Sequence, residues 1–308
     1  MMAPICLFVF KRSNTTQQML ASLMRCPECQ ESDLYVFMDA ARNETEAAEV
    51  QKVRSLFDGL TGFRSVQTKA ATTNKGLARS VIDGVSHVLQ QHENIIVLED
   101  DLVVTSDFLQ FMNTALDVFH HRNNIWSISG YTPSMNIPPH YDKSSVFLVP
   151  RAQCWGWATW RDRWQMVDWN VSDYDDLRHN SEAQRRFNYG GNDLYRTLKI
   201  ERKGHIESWA VRWAYAASKH DMWTVNPMES KVRNIGTTDS ERHGGWHDKR
   251  HDVDLHDTVT IVDPDVKPDA TLVRLFKKHH DLGIISKIGY FLRLHNLGYN
   301  YLKGLLNN

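Results

Sequence analysis

The sequence predicts an α/β fold with a mixed, mostly parallel sheet flanked by helices, and three observations predict it. Short apolar runs alternate with helical patterns along the first half of the 308 residues. The run Ile95-Ile96-Val97-Leu98 has no polar interruption, as a central strand buried on both faces requires. It stops in Glu99-Asp100-Asp101, which puts three carboxylates at a strand's carboxyl end, where open α/β sheets bind ligands.

Taken in order, residues 5–10 read as the first strand, and Leu20, Leu23 and Met24 mark the helix after it. Residues 34–38 form a second strand ending at Asp39, before a charged helix carrying Val50, Val53, Phe57 and Leu60. Residues 63–68 fit a third strand. Leu77, Val81, Val85, Val88 and Leu89 then define an amphipathic helix that feeds the strand at 95–98. Ser106 stands where it can cap the next helix, whose apolar positions are Phe108, Phe111, Met112, Ala115, Leu116 and Phe119. Residues 125–129 and 146–149 are further strands.

Composition bounds the function without naming it. With 42% hydrophobic and 24% charged residues the chain can bury one large core or two smaller ones. A formal charge of −1 argues against a globally basic nucleic-acid binder. From Lys267 onward the balance reverses, with seven lysines and arginines facing only Asp269 and Asp281. The apolar run near the amino terminus is too short for a signal peptide or membrane span. Four cysteines are too few for a disulfide framework, so a cytoplasmic protein is expected. Cys26-Pro27-Glu28-Cys29 has half the spacing of a zinc site, but no second pair follows at finger distance, which favours incidental thiols.

Three acids at a strand end suit a hard divalent cation held against a phosphate-bearing substrate. A solvated turn is the alternative. The segment 154–164 carries four tryptophans, and Trp157, Trp160 and Trp164 have helix-face spacing that favours core packing. Trp155-Gly156, read as a loop-to-helix junction, offers an aromatic platform and close backbone approach to a sugar. In Glu207-Ser208-Trp209, Ser208 can cap a helix and leave Glu207 at its amino end, either facing a cleft or stabilising the helix start. Residues 272–306 mix apolar and basic side chains. This suits a helical tail on an anionic membrane surface, or one packed on the body of the protein.

Asn74-Lys75-Gly76-Leu77-Ala78-Arg79-Ser80, followed by Val97-Leu98-Glu99-Asp100-Asp101 and Asp107-Phe108-Leu109, resembles bacterial family-2-like GT-A sugar transferases of surface polysaccharides. It is also similar to the Golgi N-acetylglucosaminyltransferases that initiate complex N-glycans. The resemblance spans about residues 4 to 245 and rests on several motifs in order. It implies a Rossmann-like GT-A fold, a nucleotide-sugar donor, and a divalent cation, Mn2+ or Mg2+. Carried onto this chain, it implies Asp101 as metal ligand and Glu99 and Asp100 near the donor sugar or ribose. Lys11, Arg12, Asp39, Asn74, Lys75, Arg79, Trp155 and Gly156 become donor-site residues. Residues 232–236, with Asp239 and His243, resemble a segment that closes the donor site, and His243 is implied as a second metal ligand. Glu207 is implied as general base with Asp193 its rival, although the Golgi enzymes carry acids where this chain has Ser208-Trp209-Ala210.

The expectation is a metal-dependent inverting glycosyltransferase acting on a glycan or lipid-linked glycan acceptor, with no nucleic-acid partner. Residues 1–245 are the catalytic domain, and 246–308 a polar linker and basic helical tail on the cytoplasmic face of a membrane. The alternatives are a metal-dependent nucleotidyltransferase or phosphoesterase, which also clusters carboxylates, and a non-catalytic binding subunit of glycan assembly.

Overall fold

The computed structural model describes residues 2–236 and 251–283. Ten strands are present among them: β1 Ile5–Val9, β2 Asp33–Met38, β3 Ser65–Ala70, β4 Asn94–Glu99, β5 Leu102–Val104, β6 Ile125–Ser129, β7 Val146–Val149, β8 Trp157–Trp160, β9 Trp223–Pro227 and β10 Val232–Asn234. Eight form one sheet in the order β3-β2-β1-β4-β8-β6-β9-β7, and β5 pairs with β10 in a small ribbon. Strands β3, β2, β1 and β4 are mutually parallel. β8 runs against both β4 and β6, and β7 runs against β9. The sheet is therefore mixed and mostly parallel, as the alternating pattern predicts.

The helices are α1 Ser13–Leu23, α2 Glu44–Ser55, α3 Leu77–Leu89, α4 Phe108–Phe119, α5 Arg161–Gln165, α6 Tyr174–His179, α7 Ser181–Phe187, α8 Leu194–Arg202, α9 Trp209–Lys219 and α10 Ala270–His280. They cover both faces of the sheet because alternate residues of the central strands point to opposite sides and both sets are apolar. Ile5, Leu7, Val9, Ile96 and Leu98 join α1 and α4 in one core layer. Cys6, Phe8, Ile95 and Val97 join α3 and α9 in the other.

The tryptophan-rich segment differs from its helical reading. Trp157 and Trp160 bound strand β8, with Trp157 in one core layer and Trp160 in the other, and only Trp164 lies on a helix. All three are core residues, Trp157 and Trp160 because a central strand buries both faces and Trp164 because it packs on Trp157 from its helix. Ser106 does not cap α4 either. It bonds Asp257 through its amide and hydroxyl, and Asp107 precedes the helix without a side-chain cap. Cys26 and Cys29 are buried thiols around a short 3-10 turn at Pro27–Glu31.

The described part of the basic carboxyl-terminal segment is a packed helix. Asp269 caps α10 by accepting from the amides of Thr271 and Leu272, and the helix buries Leu272, Val273 and Phe276 beside Phe147, Val149 and Met228. Phe276 is fully buried. Phe276→Ala is expected to destabilise the fold by about 3 kcal/mol through lost burial and the cavity left behind. The fall in the urea midpoint measures it. The rest of that segment, from residue 284, lies outside the described residues.

Candidate active site

The sheet order places the site. From β1 the chain winds outward through β2 to β3, then returns through α3 to β4 on the other side of β1. The two halves part between β1 and β4, and a crevice opens outside the carboxyl ends of strands at such a switch point. Here a cleft of about 270 Å³ is lined by residues following three of these strands, Phe10, Lys11 and Arg12 after β1, Asp39 and Arg42 after β2, and Glu99 and Asp100 at β4. Asn74, Gly76, Leu77 and Ser80 line it from the turn into α3.

Arg12 is the centre of its electrostatics. One end of the guanidinium donates to Asp100 Oδ1, and Nη1 lies 2.9 Å from Asp101 Oδ2, so a single cation bridges two adjacent acids. Both aspartates are 3% exposed. Asp100 Oδ2 also accepts the Phe10 amide at 3.0 Å. Burial still pushes the Asp100 carboxyl up from its ordinary range, opposed by Arg12, because desolvation penalises the charged form. The Arg12 guanidinium is held above its ordinary range by the two carboxylates, against the lowering effect of burial.

The antiparallel ribbon covers this cluster. Asn234 pairs with Leu102, and the Ile235 amide donates to the Asp101 carbonyl at 2.7 Å. At Gly236, just past the ribbon, a Cβ would collide with Asp101 Oδ2 and Arg12 Nη1, so any side chain there would have to push the pair aside. Lys231 anchors the ribbon's base, its fully buried ammonium 2.7 Å from Asp107 Oδ2.

Asp39 pins the outer wall. Its Oδ1 accepts the amides of Ala40 at 2.8 Å and Lys75 at 2.9 Å, and its Oδ2 accepts Asn74 Nδ2 at 3.0 Å and the Gly76 amide at 3.1 Å. The carboxylate thus ties the end of β2 to the turn before α3. Lys11 and Arg42 converge on Glu46, which hydrogen bonds from Arg42, with Lys11 adding, hold down to about 2. Lys75 and Arg79 point to Asp83 on the helix exterior, at 3.1 and 3.7 Å, and neither lines the cleft.

Glu207 reaches the same rim from the start of α9. A Cβ on Gly76 would lie 2.9 Å from Glu207 Oε2, which places this carboxylate over the turn that Asp39 holds. The cap of α9 is Ser208, whose hydroxyl accepts the Val211 amide at 3.4 Å. Glu207 therefore precedes the cap and leaves that role to its neighbour. Gly76 has φ +76°, a left-handed conformation that penalises any side chain. Gly76→Ala is expected to cost about 1–2 kcal/mol and to displace Glu207. A lowered melting temperature would report the conformational cost.

The remaining candidates lie apart from the cleft lining. Trp155 and Gly156 precede strand β8, where the sequence suggests a helix start. Gly156 has φ +56°, and a Cβ there would meet Val232 Cγ2 at 2.6 Å, so the glycine is required by backbone conformation and packing. The Trp155 ring makes edge contacts with Tyr131 and His251, at centroid distances of 4.7 and 5.6 Å. Asp193 forms a bidentate pair with Arg151 at 2.7 and 2.9 Å. Burial, with Glu99 and Asp101 nearby, pushes the Cys154 thiol up to about 12 and keeps it neutral. Asp239 and His243 lie outside the described residues.

Asp100 and Asp101 suit a hard divalent ion in donor chemistry, and the guanidinium between them shows that the place accepts positive charge. Among the described residues no group of three metal-ligating side chains is assembled. Mg2+-type sites commonly use one or two carboxylates and take their other ligands from substrate phosphates and water, so two aspartates beside this cleft fit such an ion.

Arg42 and the aromatic wall of Phe8, Phe10 and Phe37 are the cleft residues that sequence reasoning missed. Phe8 and Phe37 stack at 5.3 Å, and the Arg42 guanidinium lies 5.6 Å from the Phe10 ring. Arg42 carried one signal, its position between a strand-end acid and the helix-capping Asn43.

No family model matches the chain, and no curated protein matches it. Among solved structures it is similar to a mannosyltransferase, PcManGT from Pyrobaculum calidifontis, in complex with GDP-Man and Mn2+, at 12% identity and a TM-score of 0.35. That match covers 53% of this chain and 46% of the mannosyltransferase, less than half its length. The chain is also similar to S. aureus TarS 1-349, at 11% identity and a TM-score of 0.41, over 97% of this chain and 72% of that one.

Proposed function

We propose that the chain is a GT-A-type glycosyltransferase moving a sugar from a nucleoside-diphosphate donor to a hydroxyl of a glycan or lipid-linked glycan, with inversion. One observation carries the reading. At the switch point of the sheet, Lys11, Arg12, Arg42 and buried Asp100 line one cleft large enough for a nucleotide, with Glu207 at its rim. Cations there offset the charge of a bound diphosphate and of the leaving group as the glycosidic bond breaks. Asp39 holds the turn at 74–76 in register for the nucleoside side, and the Phe8–Phe37 wall excludes water from it.

Asp101 and Asp100 would hold a divalent cation, which when bound supplies Lewis-acid neutralisation of the diphosphate. Glu207 takes the proton of the attacking hydroxyl. It reaches the rim of the cleft over the Gly76 turn, from a different helix.

The test is a thermal-shift panel of nucleotide sugars with and without Mn2+, followed by product analysis with the stabilising donor. Transfer to an added hydroxyl acceptor supports the reading. Hydrolysis of the diphosphate without transfer favours a phosphoesterase or nucleotidyltransferase, and binding without turnover favours a glycan-assembly binding subunit. The same reading puts the protein on the cytoplasmic face of a membrane through the basic residues beyond α10, and anionic-liposome flotation of a chain cut after residue 283 tests that. Binding that survives the cut excludes those residues as the anchor.

A further inference from the structure

Arg12 lines the cleft and Asp101 does not, so the guanidinium stands between the cleft and the second aspartate. Gly236 closes over the pair on its other side. Resting on the transferase reading, we infer that Arg12 is an internal counter-ion that couples nucleotide and metal binding. In the free protein it neutralises Asp100 and Asp101, and it is drawn off them when a nucleoside diphosphate enters.

The argument is one of charge and partners. A divalent ion reaching Asp101 alone must displace a buried guanidinium that holds two carboxylates, and that guanidinium must then find other acceptors. Two neighbouring acids are already engaged, since Asp39 accepts from four donors and Glu46 pairs with Lys11 and Arg42. Diphosphate oxygens are acceptors of the right geometry, because a guanidinium fork binds phosphate as it binds carboxylate. A nucleotide in the cleft thus gives Arg12 a new partner and lifts it off Asp101, and its own oxygens would complete the ion's coordination. Metal and nucleotide then raise each other's affinity by one and the same factor, as linkage requires. Arg12 is a positioning residue in this scheme, setting the binding order and the resting charge of the site.

Direct Mn2+ binding, followed by calorimetry and by the paramagnetic signal of the free ion, tests this without any turnover. In the wild-type protein Mn2+ alone should bind at least about tenfold more weakly than with UDP or GDP, whichever the thermal-shift panel selects. In Arg12→Gln, Mn2+ alone should bind at least about tenfold tighter than in wild type and raise the melting temperature, because the ion no longer has to displace the Arg12 guanidinium. Arg12→Lys, which keeps one charge but cannot bridge both carboxylates, should fall between and guards against misfolding of the glutamine variant. Equal Mn2+ affinity in wild type, Arg12→Lys and Arg12→Gln would overturn the coupling. So would wild-type Mn2+ binding that is indifferent to nucleotide. Failure of every nucleoside diphosphate to bind would instead remove the transferase reading, and the nucleotide-driven release of Arg12 with it.

Discussion

Glu207→Gln is expected to lower sugar transfer by about 10²–10⁴-fold while leaving donor affinity and folding close to those of the parent protein. The amide keeps the size of the carboxylate and cannot accept the acceptor's proton. Folding should be spared because Ser208, not Glu207, makes the capping contact of α9. The rim position over Gly76 also means that the side chain supports no core packing, and Glu207 is exposed. The two quantities to measure on one preparation are turnover per folded molecule and melting temperature. A general base further predicts that the acidic limb of the pH–rate profile disappears in the variant. Normal turnover would move the base to Asp193. Its substitution by Asn has a different signature, since it also breaks the bidentate pair with Arg151 and should lower the melting temperature.

The strands that build the site were legible because burial on both faces writes an uninterrupted apolar run. The runs at β1, β2 and β4 end in Lys11-Arg12, Asp39 and Glu99-Asp100-Asp101, so the polar residues of a parallel sheet's carboxyl edge stand out against them. Strand β8 was illegible for the same reason. Its neighbours on each side bury both faces, so Trp157 and Trp160 are both apolar and mimic the three-residue spacing of a helix. The contacts that decide the site's chemistry join positions far apart in the chain. Arg12 meets Asp100 across a sequence separation of 88, and Glu207 meets the Gly76 turn from another helix. The resemblance implied a donor-site role for Arg12, but nothing in its local sequence tells that it rests on the acids first. Gly236 is similar. Its need for glycine comes from a guanidinium and a carboxylate brought beneath it by β1 and β4.

Asp101→Asn is expected to remove the dependence of nucleotide affinity on Mn2+ and to lower transfer by about 10²–10³-fold, the usual effect of losing one preorganised electrostatic group at developing charge. The substitution deletes a ligand charge and preserves shape. The fold should survive it, because the Ile235 amide bonds the residue 101 backbone carbonyl, which the substitution leaves in place, and Arg12 keeps Asp100 as partner. A neutral residue 101 also leaves the buried cluster with one carboxylate for one guanidinium. With one of its two anchors neutral, Arg12 is drawn off more easily and a diphosphate meets less negative charge. Nucleotide affinity in the absence of metal is therefore expected to rise while its dependence on Mn2+ is lost. Calorimetric titrations with and without Mn2+ separate the two effects. If Mn2+ still tightens nucleotide binding in Asp101→Asn by the parent factor, the ion is held by Glu99 and Asp100 instead, and Asp101 serves only as the second anchor of Arg12.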